Sequence, residues 1–372
     1  MALTLGWYFH LPSCAGAAEV EAVFDGSLRL LLDAHRDTGA PLALAVTGGL
    51  LALLERSHPA ALTRLRSALA DGGVELLATS FHEVCPFLIP PRYLHRQIEL
   101  DLQLKQRLFG RRPGIFWPGN LAWSPVLADI LPALDLRGSV IGEAHLRESQ
   151  QTQLWQWLSA ATPQMASVTV DTLMGQPLDG RRFELDTASG RRLQLLLLSS
   201  SMRQMLSFGT SGAIHKPWDN SALDALIRHI GRQPASPHGF SGDDGDRINP
   251  VSIDAYRRLL HAIGAALLPA SAAFDGGEAE ALEFLPAHAP GGIGFWQDAV
   301  ATAWQRTLDE LLQAVAAGTL AADELLPLQD VFPLFWKRSA RARWFYDRAW
   351  ALLQRGHAAS PKAPRHGAHA HD

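Results

Sequence analysis

Three aspartates crowd the stretch SGDDGDRINP, at Asp243, Asp244 and Asp246. A carboxyl group that is buried, or set beside other carboxylates, keeps its proton to higher pH and can act as a general acid. The same run of Asp and Gly also builds an ordinary exposed turn. Other groups able to do chemistry lie far away in sequence. They are His10 in YFHLP, His82 and Glu83 in SFHEVCPFLIP, Trp117 and Asn120 in FWPGNLAWSP, and Glu143 and His145 in GEAHL. The imidazoles of His10, His82 and His145 with a carboxylate would suit zinc in a site with an open position. His10 and His145 suit equally well the donation of hydrogen bonds to hydroxyl groups. Eleven Trp against four Tyr supply rings that match the apolar faces of sugars, although indoles more often fill cores.

Each of these groups follows a short apolar run. LTLGWYF, PLALAVT, GVELLAT, PGIFW and LRGSVIG read as strands, with RRLQLLLLSSS and HGFSG supplying later ones. Between them, residues 19–37, LLALLERSHPAALTRLRSALADG and residues 92–109 read as helices. SPVLADILPAL is a further helix, with Ser124 as N-cap and Pro125 at its first position. Alternating strands and helices predict a parallel sheet buried on both faces. Right-handed crossovers let such units close into a barrel, with functional groups gathered where strands end. The scattered polar residues converge only if that closure happens. From about residue 271 the pattern becomes mainly helical, and HAASPKAPRHGAHAHD reads as a low-complexity tail.

The bulk composition narrows the function. The chain has 372 residues, 47% of them hydrophobic, enough for a sizeable core. A formal net charge of −4 gives no general affinity for nucleic acid or an anionic membrane. Cys14 and Cys85 make no disulfide framework, fit a reducing compartment, and read as buried thiols. MALTLGWYFHLP lacks the basic start and apolar run of a signal peptide, and LALAVTGGLLALL is too short to span a bilayer. A cytoplasmic protein is expected.

The ordered motifs resemble glycoside hydrolase family 57, whose members include 4-α-glucanotransferases, α-amylases and branching enzymes acting on α-glucans. YFHLP is similar to the family's first motif, with His10 on its histidine and Leu11 where glutamine is usual. GGVELLATSFHEVCPFLIP resembles the second, with Glu83 on a substrate-binding glutamate. RLFGRRPGIFWPGNLAWSP resembles the third and puts Asn120 on the catalytic glutamate. SGDDGDRINP resembles the fourth, with Asp244 on the general acid and Asp246 on a glutamate. LPLQDVFPLFW loosely matches the fifth through Gln329 and Trp336.

The resemblance implies an incomplete (β/α)7 barrel over residues 1–270 and a helical region over 271–356, and the low-complexity composition gives a disordered tail over 357–372. It implies an α-glucan or other oligosaccharide partner held by His10, Glu83, Trp117, Glu143, His145, Asp243, Asp246 and Trp336. It implies no cofactor and no metal, and indicates no protein partner. The chemistry is less simple. Retaining cleavage uses two carboxyl groups about 5 Å apart, one attacking the anomeric carbon and one protonating the leaving oxygen. Asp244 suits the second task, but the amide of Asn120 is a poor attacking group and carries no charge. Glu143 is a candidate substitute, and an inverting route with a wider gap of roughly 6.5–9.5 Å is the other way round the problem. Two further readings stand beside the enzyme. One is a non-catalytic descendant that binds a glycan or a protein. The other is a metal-dependent deacetylase-like hydrolase, against which stands the lack of the Thr-Phe-Asp-Asp opening and the His-x-x-x-His pair.

Overall fold

The computed structural model describes residues 2–142, 183–199, 220–232, 238–245, 248–274, 279–282, 299–330, 332–335 and 340–359, with Arg203, Leu206, Leu285 and Ala287. Its chain divides into two compact units, Met1–Phe295 and Trp296–Asp372. The first is an α/β unit. In chain order it runs β1 (Ala2–Phe9), α1 (Ala17–Val23), α2 (Arg29–Thr38), β2 (Leu42–Val46), α3 (Gly48–Ser57), α4 (Pro59–Ala70) and β3 (Val74–Leu77). There follow α5 (Pro91–Phe109), β4 (Ile115–Phe116), α6 (Leu127–Ala133), β5 (Gly138–Gly142), β6 (Phe183–Asp186) and β7 (Arg192–Leu198). The unit is completed by α7 (Asn220–Arg232), β8 (His238–Asp244), α8 (Ile253–Ile263) and β9 (Glu280–Leu282).

The apolar runs become neighbouring strands in the order β3-β2-β1-β8-β7-β5-β4, all paired in parallel. The two ends of this path meet. Just past β3, the Ala78 N–H donates to the Ile115 carbonyl and the Ala78 carbonyl accepts from the Trp117 N–H, both at 2.8 Å. β6 runs antiparallel to β7, and β9 extends that branch in parallel to β6. β9 lies beyond residue 270, in a stretch that reads as helical in sequence, so the first unit continues past the expected boundary.

Period-two alternation sorts the side chains of the strands. Leu3, Leu5, Trp7 and Phe9 of β1 and Leu42, Leu44 and Val46 of β2 pack with the helices on the outer side. Tyr8, Ala43, Ala45, Leu77, Ile115, Trp117, Val140, Leu196, Leu198 and Phe240 form a separate inner cluster. Ala270 and Ala273 join that cluster from a short helical turn. The turn is fixed at the N-terminal strand ends by the Leu268 N–H on the Leu3 carbonyl and the Ser271 N–H on Glu75, both 2.9 Å.

Local differences from expectation have plain causes. The helix expected over 19–37 is interrupted by a π turn at Phe24–Leu28. α6 starts at Leu127 rather than Pro125, because the Ser124 and Pro125 carbonyls already accept from Leu127 and Ala128 in a preceding turn. The second unit contains α9 (Ala299–Ala316), the short α10 (Phe332–Phe335) and α11 (Ala340–Ala359). Buried Ala301, Trp304, Leu308 and Leu311 line one face of α9 at helical spacing. No described helix is long and apolar enough to cross a membrane.

Two buried polar networks tie the helices to the strands. Trp7 Nε1 donates to the Tyr256 hydroxyl at 2.8 Å, and the His35 ring contacts the same hydroxyl at 2.8 Å. Burial drives His35 down to about 4, so it stays neutral at ordinary pH. The second network carries an ion pair. Lys105 and Asp101 of α5 are wholly buried, with Lys105 Nζ 2.7 Å from Asp101 Oδ2 and 2.8 Å from the Leu77 carbonyl. Asp101 accepts from the Thr79 N–H at 2.9 Å and from its hydroxyl at 3.0 Å. Burial pushes the aspartate up and the lysine down from their usual ranges, and their mutual attraction opposes both shifts. Removing one member strands the other charge, at a cost of about 3–5 kcal/mol. Lys105→Met should therefore lower the unfolding free energy by about that amount in urea titration. Loss of less than about 0.5 kcal/mol, as at an ordinary surface site, would contradict the role given to the pair.

Candidate functional site

The C-terminal ends of β1, β3, β4 and β8 bring the first site residues together. β1 ends at Phe9, whose carbonyl is held by the Thr47 N–H at 3.0 Å, and His10 follows at once. The loop after β3 is pinned from behind. Its Phe81 N–H donates to the Gln97 carbonyl at 2.9 Å, and its His82 N–H to the Gln97 side chain at 3.0 Å. The Gly49 N–H at the start of α3 takes the Phe81 carbonyl at 2.6 Å. With Thr79 clamped by Asp101, this loop delivers Glu83 inward, 5% exposed. Glu83 Oε2 meets His10 Nδ1 at 2.8 Å. The two ends of that pair differ: the glutamate side chain is 6% exposed and the histidine 34%.

The turn after β4 closes over the same carboxylate. A Cβ placed on Gly119 would lie 2.8 Å from Glu83 Cγ and 3.3 Å from the Tyr8 hydroxyl, so only glycine lets the turn sit this close. Asn120 and Leu121 then adopt left-handed backbone, with φ of 52° and 51°. Asparagine takes that conformation readily, whereas for Leu121 it costs roughly 1–2 kcal/mol. Burial of Leu121 among the inner residues offsets it. Asn120 Nδ2 is buried with no hydrogen-bond partner among the described residues.

Asp244 ends β8. It pairs in register with Tyr8, as Asp243 does with Trp7. Alternation puts Asp244 on the same face as Phe240 and Gly242, the face that meets Trp117. Asp244 is half-buried, and the described part of Asp243 is its backbone. Tyr8 thus neighbours both Asp244, by register, and His10, its ring 5.8 Å from the His10 ring. The sequence reading missed Tyr8, yet the signal was there: in LTLGWYF it falls on the side of Gly6, opposite Trp7.

Trp117 has a different place from the sugar-stacking one expected of it. It is 3% exposed, lies 5.4 Å from Phe240 and 5.9 Å from Tyr8 by ring centres, and forms the floor beneath the site. Phe81 and Gln97 screen His82, which burial holds down to about 4, and its Nδ1 lies 2.9 Å from the Ser13 hydroxyl. Cys85 is buried and Cys14 half-buried, and neither forms a disulfide. Among the described residues no group of three or more His, Cys, Asp or Glu is placed to hold a metal ion. Glu143, His145, Asp246 and Trp336 lie outside the described residues. Gln329 is buried in a short helical turn of the second unit.

A parallel α/β unit gathers its functional groups at the strand ends, where this one carries an imidazole and carboxyl groups. Comparison narrows the class. Residues 18–241, more than half of the chain, match glycosyl hydrolase family 57, and the chain belongs to that family. Alpha-amylase 1 of Dictyoglomus thermophilum is 25% identical over 145 residues, 38% of this chain and 21% of that one. The 4-alpha-glucanotransferase from Thermococcus litoralis superposes with a TM-score of 0.62 at 16% identity, over 85% of this chain and 46% of that one. A family 57 branching enzyme from Thermococcus kodakaraensis gives 0.65 at 12% identity, over 96% of this chain and 90% of that one. The chain therefore spans about a fifth of the amylase and less than half of the glucanotransferase.

The burial of Trp117 sets its expected behaviour. Trp117→Ala should cost about 3–5 kcal/mol of stability, as for a large side chain removed from a core. Chemical denaturation measures it. A variant as stable as the parent, with weakened oligosaccharide binding, would return Trp117 to the role of a stacking platform.

Proposed function

We propose that this chain acts on or binds α-glucan oligosaccharides at the strand ends that carry His10, Glu83, Asn120 and Asp244. The observation that carries the reading is their convergence: Glu83 touches the Asn120 turn and pairs with His10, and Asp244 ends the strand beside β1, in register with Tyr8. Family membership supports a carbohydrate as the substrate class. The named relatives, an amylase, a glucanotransferase and a branching enzyme, support α-glucans within that class. We take the parallel strand path, whose ends meet at Ala78, as an incomplete (β/α)7 barrel.

In this reading Asp244 is the proton donor to the leaving oxygen. Asn120, on the position of the family nucleophile, gives the transition state no charge and forms no glycosyl-enzyme. Loss of a covalent nucleophile costs several powers of ten in rate, so the retaining route is closed to this site unless another carboxylate serves it. Glycan binding does not need the nucleophile. His10 and Asp244 present polar groups at the site whatever the fate of the chemistry.

Incubation of the purified protein with maltoheptaose, followed by mass spectrometry over a long time course and by calorimetry, tests the reading. Shortened or redistributed oligosaccharides, abolished in Asp244→Asn, are expected of an enzyme. Binding without turnover would mark a glycan-binding descendant. Neither binding nor turnover would overturn the α-glucan reading.

A further inference from the structure

We propose that the Glu83–His10 pair is a general base that replaces the absent nucleophile, so that any hydrolysis at this site proceeds with inversion. The proposal rests on the reading that the site takes α-glucan. Three features of the pair carry it. First, contact is through His10 Nδ1, 2.8 Å from Glu83 Oε2, which directs Nε2 away from the carboxylate. A carboxylate bonded to Nδ1 fixes the imidazole in the tautomer whose Nε2 accepts a proton and stabilises the imidazolium that results. Second, the carboxylate is the buried member and the imidazole the accessible one, at 6% and 34% side-chain exposure. Third, Glu83 is confined. Gly119 and His10 press on it, and its loop is fastened to Gln97 and Asp101. A carboxylate held on that many sides is poorly placed to swing into covalent attack on an anomeric carbon. It is well placed to orient a neighbour.

The opposite member is Asp244, one strand away across the β1–β8 ladder from Tyr8. Base and acid thus come from neighbouring strand ends, and inversion places a water and a sugar ring between such a pair. In the step itself, water oxygen bonds to the anomeric carbon while the bond from that carbon to the leaving oxygen breaks. The water proton passes to His10 Nε2, and the proton of Asp244 goes to the leaving oxygen. Nothing is oxidised or reduced, and the product carries the β configuration. Among the described residues, the titratable groups shown against His10 are Glu83 from the β3 loop and Tyr8 from its own strand, and Asp244 ends the neighbouring strand β8. Glu83 is here a positioning residue and His10 the catalytic one.

The test uses the full chain and α-maltosyl fluoride, whose fluoride leaves without a proton, with the first-formed anomer read by proton NMR. The expected product is the β-anomer. His10→Ala should lower kcat by about 100- to 10,000-fold with little change in KM, and added imidazole should restore part of the rate. Glu83→Gln should lower kcat comparably without imidazole rescue, because it spoils the tautomer rather than removing the base. First-formed α-anomer would overturn the proposal on the parent protein alone, whether or not the variants fold. So would a His10→Ala or His10→Gln protein that turns over like the parent. A parent that binds maltoheptaose but never hydrolyses the fluoride would overturn the base and leave the α-glucan reading standing. A parent that does neither would overturn both.

Discussion

The inner face of the strands has to accommodate one indole. Trp117 lies on bare backbone: a Cβ on Gly6 would come within 2.6 Å of its ring, and one on Gly242 within 2.7 Å. Those two glycines are register partners across β1 and β8. Small residues on one side and a large one opposite let an enclosed core fill without voids. Here Gly6, Ala43, Ala45 and Gly242 are the small members, and Ile115, Trp117 and Phe240 the large ones. The residues that follow the two glycines at strand spacing are Tyr8 and Asp244, so the packing of Trp117 also sets the spacing of the site above it.

Precision at the site comes from polar interactions behind it. The loop bearing His82 and Glu83 has almost no regular structure of its own, yet it is attached to α5 at Gln97, Asp101 and Lys105. Burying an ion pair is seldom a net gain over a well-packed apolar pair. Its use here lies in fixing one backbone geometry, because Thr79 can satisfy Asp101 from a single position only. Opposite, the glycine at 119 lets the β4 turn descend onto Glu83, and the left-handed Asn120 and Leu121 follow from that descent. The chain retains this strained turn although the residue at its tip has no charge.

Much of the architecture was legible. LTLGWYF, PLALAVT, GVELLAT, PGIFW and LRGSVIG are mostly apolar because both faces are buried, and each became a strand. The family followed from the order of the motifs, which a change at one position such as Asn120 does not disturb. Other features were hidden for identifiable reasons. β9 is three residues long, too short for any periodicity to show. Asp101 and Lys105, four apart on α5, look in sequence like a solvated surface pair, and only the tertiary fold buries them. Trp117 follows an apolar strand and precedes a turn, so its type alone did not separate a floor from a platform. The proximity of Glu83 to His10 joins residues 73 positions apart and is a property of closure.

The central claim is that His10, Glu83, Asn120 and Asp244 border one sugar-binding position. A crystal structure of the protein grown with maltoheptaose tests it most directly. The account predicts a glucose ring above Trp117, with hydroxyl or glycosidic oxygens within hydrogen-bond distance of His10 and Asp244 and the Asn120 turn beside it. Oligosaccharide bound elsewhere, with these four residues left bare, would contradict it.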